Sequence, residues 1–284
     1  MSHPHQLPLT PHAGCQQRCS FSPNPLNYYS QPDYDLNPLD TISEIVMKKK
    51  LLTATSLLML GMLAIPTHTA TAQDLSVDAG MTLTSRFIYR GAELGNSPNV
   101  QAMVGINSGG FSLYGWGSHS LGQDDNAYKE VKFWANYTLD LGEFNLTPQI
   151  ENHFNAYTDL FDFDENTTTH VFQASAKLAG KGEAAPDLMI GYAFGSPVEG
   201  TIYAEAGYAF ASGDYGMRAF VSTQYSDGPG FVDLGYNSKF VVNQIGVSAS
   251  RTLQISDSFS LPLGISLIVN PKTERIFTAA SFSF

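Results

Sequence analysis

Apolar and polar residues alternate one for one along most of this chain beyond residue 73, and no other feature limits its fold so tightly. From Asp78 to Arg90, one face carries Ala79, Met81, Leu83, Ser85, Phe87 and Tyr89. The other carries Asp78, Gly80, Thr82, Thr84, Arg86, Ile88 and Arg90. From Glu130 to Asp140, Val131, Phe133, Ala135, Tyr137 and Leu139 oppose Glu130, Lys132, Trp134, Asn136, Thr138 and Asp140. Later segments repeat the pattern: Ile202, Ala204, Ala206, Tyr208 and Phe210 alternate with Tyr203, Glu205, Gly207 and Ala209. Successive side chains of a strand point to opposite faces, so sustained period two means strands with one apolar face. No stretch carries a helical period. No apolar run beyond residue 65 approaches the roughly 18 residues of a membrane helix.

About twelve strands are expected, near 75–90, 98–108, 110–119, 127–140, 143–156, 167–179, 186–195, 199–211, 214–225, 239–252, 258–269 and 275–284. The pattern leaves the facing of 110–119 open. Links at Gly109-Gly110, Gly142 and Gly213 are short, whereas 120–127, 157–166 and 226–238 are longer and acidic or Gly-rich; 195–199 and 270–274 are short exceptions on the long-loop side and 180–186 a modest exception on the other. Short turns at one end and long loops at the other are the layout of an outer-membrane barrel.

The alternative is a secreted β-sandwich, whose second face is wet and charged. Here only 14% of residues are charged and 12% are aromatic. The less apolar face is rich in Gly, Ser, Thr and Asn. Phe87, Tyr89, Tyr137, Phe154, Tyr208, Phe210, Tyr225, Phe282 and Phe284 fall near strand ends on the apolar face, as aromatic girdles at two membrane interfaces would. A closed barrel also leaves no strand edge unpaired, which a bilayer demands. The expected fold is therefore all-β, a transmembrane antiparallel β-barrel of up-and-down topology, exported to a bacterial outer membrane.

The N-terminal part reads differently. Residues 1–46 are rich in Pro, His, Gln and Tyr and show no period. Met47-Lys48-Lys49-Lys50, the apolar run Leu51 to Ile65, and Ala70-Thr71-Ala72 before Gln73 are the three regions of a secretory signal peptide. Translation is expected to begin at Met47. That makes 1–46 an upstream extension or misassigned start, 47–72 the leader and 73–284 the barrel. A disordered tail before an internal membrane helix is the competing reading, but the apolar run is short for a span. Both cysteines, Cys15 and Cys19, precede Gln73, so neither a disulfide framework nor a Cys-based zinc site is available to the barrel.

The chain closes on Thr278-Ala279-Ala280-Ser281-Phe282-Ser283-Phe284. Alternate aromatics and a terminal Phe resemble the assembly signal of bacterial outer-membrane proteins, which makes Phe282 and Phe284 its candidates. The opening strand Leu83-Thr84-Ser85-Arg86-Phe87-Ile88-Tyr89-Arg90-Gly91 resembles the first-strand signature of the TorF-like porin family, and Trp116-Gly117-Ser118 resembles a second feature of it. Inward Glu130 and Glu205 also fit the family, whereas Glu151 and His153 depart from its Tyr-rich fifth strand. The resemblance covers roughly 75–284 and implies an outer-membrane location and a barrel more than a substrate.

The polar phase nominates Arg86, Arg90, Glu130, Lys132, Glu151, His153, Lys177, Glu205 and Arg218 as lumen-lining residues. In a channel such groups set the local field and select ions. In a closed barrel they pair with one another, and their near balance favours pairing. Twelve strands lie between the side-chain-filled eight and the open sixteen. The expected role is passive passage of small hydrophilic solutes or ions through a narrow lumen; the alternative is a non-conducting structural or surface-interaction barrel with its activity in loops 157–166 and 226–238.

Expected partners are outer-membrane lipids, the outer-membrane assembly machinery and such solutes. A net charge of -11 argues against nucleic acid. No catalytic, cofactor or metal site is expected. Ser118 and His119, as neighbours in a strand, point to opposite faces and form no dyad. Asp159, Asp162, Asp164 and Glu165 read as a solvated acidic loop, and His119 and His170 have no defined ligand partners.

Overall fold

The computed structural model describes residues 75–122, 129–164, 167–194, 198–227 and 239–284. The extension and leader expected over 1–72, Glu165, and most of 226–238 lie outside the described residues.

Fifteen strand segments follow in order: β1 (Ser76–Thr84), β2 (Phe87–Tyr89), β3 (Ala92–Gly95), β4 (Asn99–Ser108), β5 (Phe111–Ser120), β6 (Glu130–Tyr137), β7 (Leu139–Asp140), β8 (Phe144–Asn155), β9 (Val171–Gly180), β10 (Ala185–Phe194), β11 (Ile202–Ser212), β12 (Tyr215–Tyr225), β13 (Phe240–Ser256), β14 (Phe259–Asn270) and β15 (Arg275–Ser283). All except β2 and β3 belong to one antiparallel sheet in which sequence neighbours pair. β7 continues β6, since β8 pairs with both. β1 pairs with β15 through Thr82↔Ser283, Leu83↔Phe282 and Thr84↔Ser281. Met81 and Phe284 exchange both backbone hydrogen bonds at 3.2 and 2.8 Å. The sheet thus closes on itself as a twelve-stranded up-and-down barrel.

The two faces are inverted relative to a water-soluble protein. Val77, Met81, Val104, Ile106, Ile190 and Ile265 are exposed, Val104 and Ile265 each at 57%. On the inner face, Gln173, Asn99 and Asn270 are fully buried at 0%. Apolar side chains outside and polar ones inside give the alternation a lipid-facing and a lumen-facing surface. The facing of β5 is settled by its pairing. Val104↔Gly115 and Leu113↔Ala135 keep Leu113 outward, which turns Trp116, opposite Met103 and Lys132, inward.

β13 departs from strict alternation. Its register against β12 shifts between Ser222 and Thr223, leaving Asn243 unpaired in the ladder. Such a bulge puts two consecutive side chains on one side, and Asn243 and Gln244 are both buried.

The first strand needs correction. It was expected to run to Arg90, but it leaves the wall after Thr84, and 87–95 forms a separate hairpin, β2–β3. Arg90 (φ 50°) and Gly91 (φ 81°) are the two loop residues. Two consecutive left-handed residues make the type I′ turn that matches the twist of a tight hairpin. Thr84 Oγ1 donates to the Arg86 carbonyl at 3.0 Å where the chain turns in. Phe87 is buried, its ring 5.9 Å from inward Trp116, and Tyr89 lies 6.0 Å from His153. Neither Phe87 nor Tyr89 belongs to a lipid-facing girdle. The alternation of 78–90 survives the turn because a hairpin strand has the same period as a wall strand.

Candidate functional site

The hairpin starts at the long-loop end of β1 and its tip crosses the lumen. Asn243 of β13 donates to the Arg90 carbonyl at 2.8 Å, and Asn270 of β14 donates to the Gly91 carbonyl at 2.9 Å. A Cβ on Gly91 would collide with the Asn243 carbonyl, so the close approach requires glycine. Beyond the tip, the Arg90 guanidinium donates to Gln173 Oε1 of β9 at 2.8 Å and lies 3.9 Å from Glu151 of β8. Gln173 donates in turn to Glu151 at 2.8 Å. β8 and β9 lie across the barrel from β1, the two being separated by β4, β5 and β6 on the shorter way round. The hairpin therefore spans the lumen and divides it.

Two charge clusters meet at this crossing. In the first, Glu130 Oε1 lies 3.2 Å from His153 Nδ1 and 3.7 Å from Lys132 Nζ. In the second, Arg218 makes a two-pronged contact with Asp187 at 2.9 and 2.6 Å and a third bond to Glu205 at 2.8 Å. A Cβ on Gly207 would collide with the Arg218 guanidinium, so glycine on the neighbouring strand makes room for the arm. Tyr203 and Tyr89 join the clusters. The Arg90 guanidinium carbon sits 4.0 Å from the Tyr203 ring centre and 4.9 Å from that of Tyr89. Lys132 Nζ also lies 4.9 Å from Tyr89. Tyr203 donates to Glu205 at 2.6 Å, and Gln244 donates to both Tyr203 (3.1 Å) and Glu205 (2.9 Å).

Removing one partner of a buried ion pair costs about 3–5 kcal/mol, because the other charge is left without compensation. Arg90 and Glu151, with side chains only 6% and 5% exposed, form such a pair.

Seven of the nine nominated residues are drawn into these clusters. Arg86 pairs instead with Glu93 within the hairpin, at 3.1 Å. Arg86 and Arg90 stand on the hairpin rather than on the wall, contrary to the strand reading. Lys177 is exposed and sits level with Thr147 of β8 and Met189 of β10. The clusters also contain residues the charge-based nomination missed: Gln173, Tyr203, Asp187, Asn243 and Gln244. Gln173 and Tyr203 lie on the polar phase of their strands, and that phase was the available signal. Asn243 carried none, since only the bulge turns it inward.

Ser118, on the inward phase of β5 with Trp116, is buried, whereas His119 faces the other way and is exposed. The acidic loop is organised by its own backbone. Asp162 accepts from the Asp164 amide at 3.1 Å and from Thr167 at 3.0 Å. His170 is a structural pin there, with contacts to Asn152 at 3.0 Å and the Leu160 carbonyl at 3.1 Å. Its ring lies between Phe154 and Phe163, with centroid distances of 4.4 and 4.7 Å.

No protein-family model and no curated protein sequence matches the chain. Among solved structures, the chain is similar to the NanC porin, with a TM-score of 0.48, 7% identity, and coverage of 72% of this chain and 98% of that one. It is also similar to the KdgM porin, with a TM-score of 0.47, 6% identity, and coverage of 73% and 96%. An outer-membrane channel of Pseudomonas putida F1 superposes with a TM-score of 0.38, 11% identity, and coverage of 76% and 97%. All three scores are below 0.5, so the functional reading rests on this chain's own residues.

Proposed function

We propose that the protein is an outer-membrane porin whose lumen passes small hydrophilic solutes or ions by a route that the inner hairpin narrows. The observation that carries the reading is the combination of an apolar exterior with a lumen that is crossed by the hairpin but not filled. Below the crossing, towards the short-turn end, lie spaces of about 430 and 410 Å³ bordered by inward side chains. A barrel built only as a structural wall has no need of them. Of the nominated charged residues, Arg86, Lys132 and Arg218 border these spaces and set their field, while the buried Arg90, Glu130, Glu151 and His153 act through the pairs they form.

A TorF-like origin agrees with the place of both motifs: Arg90-Gly91 turns the hairpin and Trp116 packs on Phe87. A cleaved leader at 47–72 would deliver the chain to the periplasm, and Phe282 and Phe284 on the closing strand would engage the assembly machinery. Their rings meet edge to face at 5.8 Å.

Planar-bilayer conductance of the refolded chain tests the reading. Discrete current steps are expected, and they should enlarge when the hairpin 86–96 is replaced by a short Gly/Ser link. A chain that inserts as a barrel yet never conducts, with or without the hairpin, would refute the pore and leave a surface-interaction barrel.

A further inference from the structure

Phe154 stands near the long-loop end of β8 on the outward phase, in step with Ile150 and opposite Val131 of β6. It is nevertheless only 5% exposed. An outward side chain of a barrel wall meets lipid unless the chain itself covers it, and here the chain does. His170, just before β9, lays its ring 4.4 Å from Phe154, and Phe163 of the β8–β9 loop lies 4.7 Å from the other side of that ring. The same imidazole reaches the Leu160 carbonyl at 3.1 Å and outward Asn152 at 3.0 Å. The loop therefore folds back over the outside of the wall instead of rising clear of it.

Aromatic rings run without a break from the wall into this loop. Phe133, 48% exposed, lies 6.4 Å from Phe154. On the other flank, Phe172 of β9 lies 6.3 Å from His170 and 5.8 Å from Phe194 of β10. From this base the loop presents Leu160, Phe161 and Phe163, exposed at 47%, 80% and 60%. Large apolar side chains exposed together mark a surface that something else covers. Meanwhile the loop backbone is paired from within. Asp159 Oδ1 accepts from the Phe161 amide at 3.0 Å, and Asp162 Oδ1 from the Asp164 amide at 3.1 Å. The Asp159 and Asp164 carbonyls accept from the Asp162 and Thr168 amides at 3.2 and 2.8 Å. Hydrocarbon offers amides no partner, so a segment that approaches a bilayer has to satisfy its backbone in this way. Phe154 is the penultimate residue of β8, which places the loop where strands leave the hydrocarbon, the depth that aromatic rings favour.

We propose that residues 157–164 form an interfacial anchor. Folded against the outside of the barrel and pinned by His170, the loop seats Leu160, Phe161 and Phe163 in the outer leaflet, just beneath the lipid headgroups. Lipid is the occupant because the patch continues the lipid-facing wall through Phe133 and Phe154. The anchor belongs to the barrel exterior, so it holds whether or not the lumen conducts.

Lipid-quenching fluorescence tests it. Trp116 and Trp134, the two native tryptophans, point into the lumen, so brominated lipid should quench the parent weakly. Phe161→Trp adds an indole at the patch. The full chain is refolded into phosphatidylcholine vesicles carrying bromine at a shallow or a deep acyl position. Quenching should rise at least twofold over the parent, and the shallow bromine should act more strongly. If that variant does not give heat-modifiable barrel, Phe163→Trp carries the same measurement. Adding His170→Ala should at least halve the extra quenching while the barrel stays folded; Asn152→Ala replaces it if it does not fold. An added indole quenched by aqueous iodide and not by bromolipid would place the loop in water and overturn the anchor. An indole reached by neither quencher would mean that a second copy of the chain covers the patch, which also overturns it. Unchanged bromolipid quenching in a folded His170→Ala variant would overturn the pin. None of these readouts depends on conductance, so the anchor and the pore can fail separately.

Discussion

Gly91→Ala isolates the hairpin from the barrel. Gly91 lies at φ 81°, and an added Cβ would collide with the Asn243 carbonyl. A left-handed conformation costs a non-glycine residue about 1–2 kcal/mol. The collision adds a second penalty, since backbone atoms cannot give way as a flexible side chain can. The tip must lift, and lifting breaks the bonds from Asn243 to the Arg90 carbonyl and from Asn270 to the Gly91 carbonyl. Each such bond is worth about 0.5–1.5 kcal/mol net, and more if the buried amide is left without a partner. Together these terms come to roughly 3–5 kcal/mol against the docked tip, or about two to three and a half powers of ten in the docking equilibrium. The wall ladders do not involve Gly91, so the barrel should still form and migrate as a folded species. Single-channel recording should then show larger or noisier steps than the parent. Amide exchange at Phe87–Gly95 should speed up while β9–β12 stay protected. Unchanged step size together with unchanged protection of 87–95 would refute the argument that this tip is held by close backbone approach.

Other perturbations probe the seam and the charge clusters. Deleting Phe284 removes both backbone bonds to Met81 at the β1–β15 closure, so the yield of heat-modifiable barrel should fall severalfold; an unchanged yield would mean the seam closes without that residue. Arg218→Glu sets a third carboxylate beside Asp187 and Glu205. The reversal potential in a salt gradient should shift toward cation selectivity, and a conducting variant with unaltered selectivity would remove Arg218 from the ion path. Tyr203→Phe deletes the 2.6 Å bond to Glu205 and one partner of Gln244. It should lower stability by about 1–2 kcal/mol in urea titrations of the refolded barrel, whereas a loss near zero would mean water replaces the hydroxyl.

Much of this protein is legible in its sequence. Side-chain period two, a low charge density and turns that are mostly short at one end and longer at the other specify a closed antiparallel barrel. The reason is that a bilayer admits no unpaired strand edge and fixes which phase faces outward. Apart from β1, which leaves the wall after Thr84, the wall strands lie within a few residues of their expected bounds, and Glu130, Glu151, Glu205 and Arg218 could be placed on the polar phase one by one. Pairing partners were another matter. Arg218 with Asp187, 31 residues apart, follows from the β10–β11–β12 register and not from either residue's neighbours.

The hairpin was decided by tertiary structure alone. Residues 83–90 alternate as well in a straight wall strand as in a strand folded inward, so local pattern cannot separate the two. What separates them is three hydrogen bonds to the tip, between residues 83, 153 and 179 positions apart. Those partners come together only once the barrel has closed. The Asn243 partner further depends on a bulge that breaks the very alternation from which the wall was read. Sequence periodicity reports which face a residue occupies; it does not report what lies across a lumen, because that distance is set by strand number and closure.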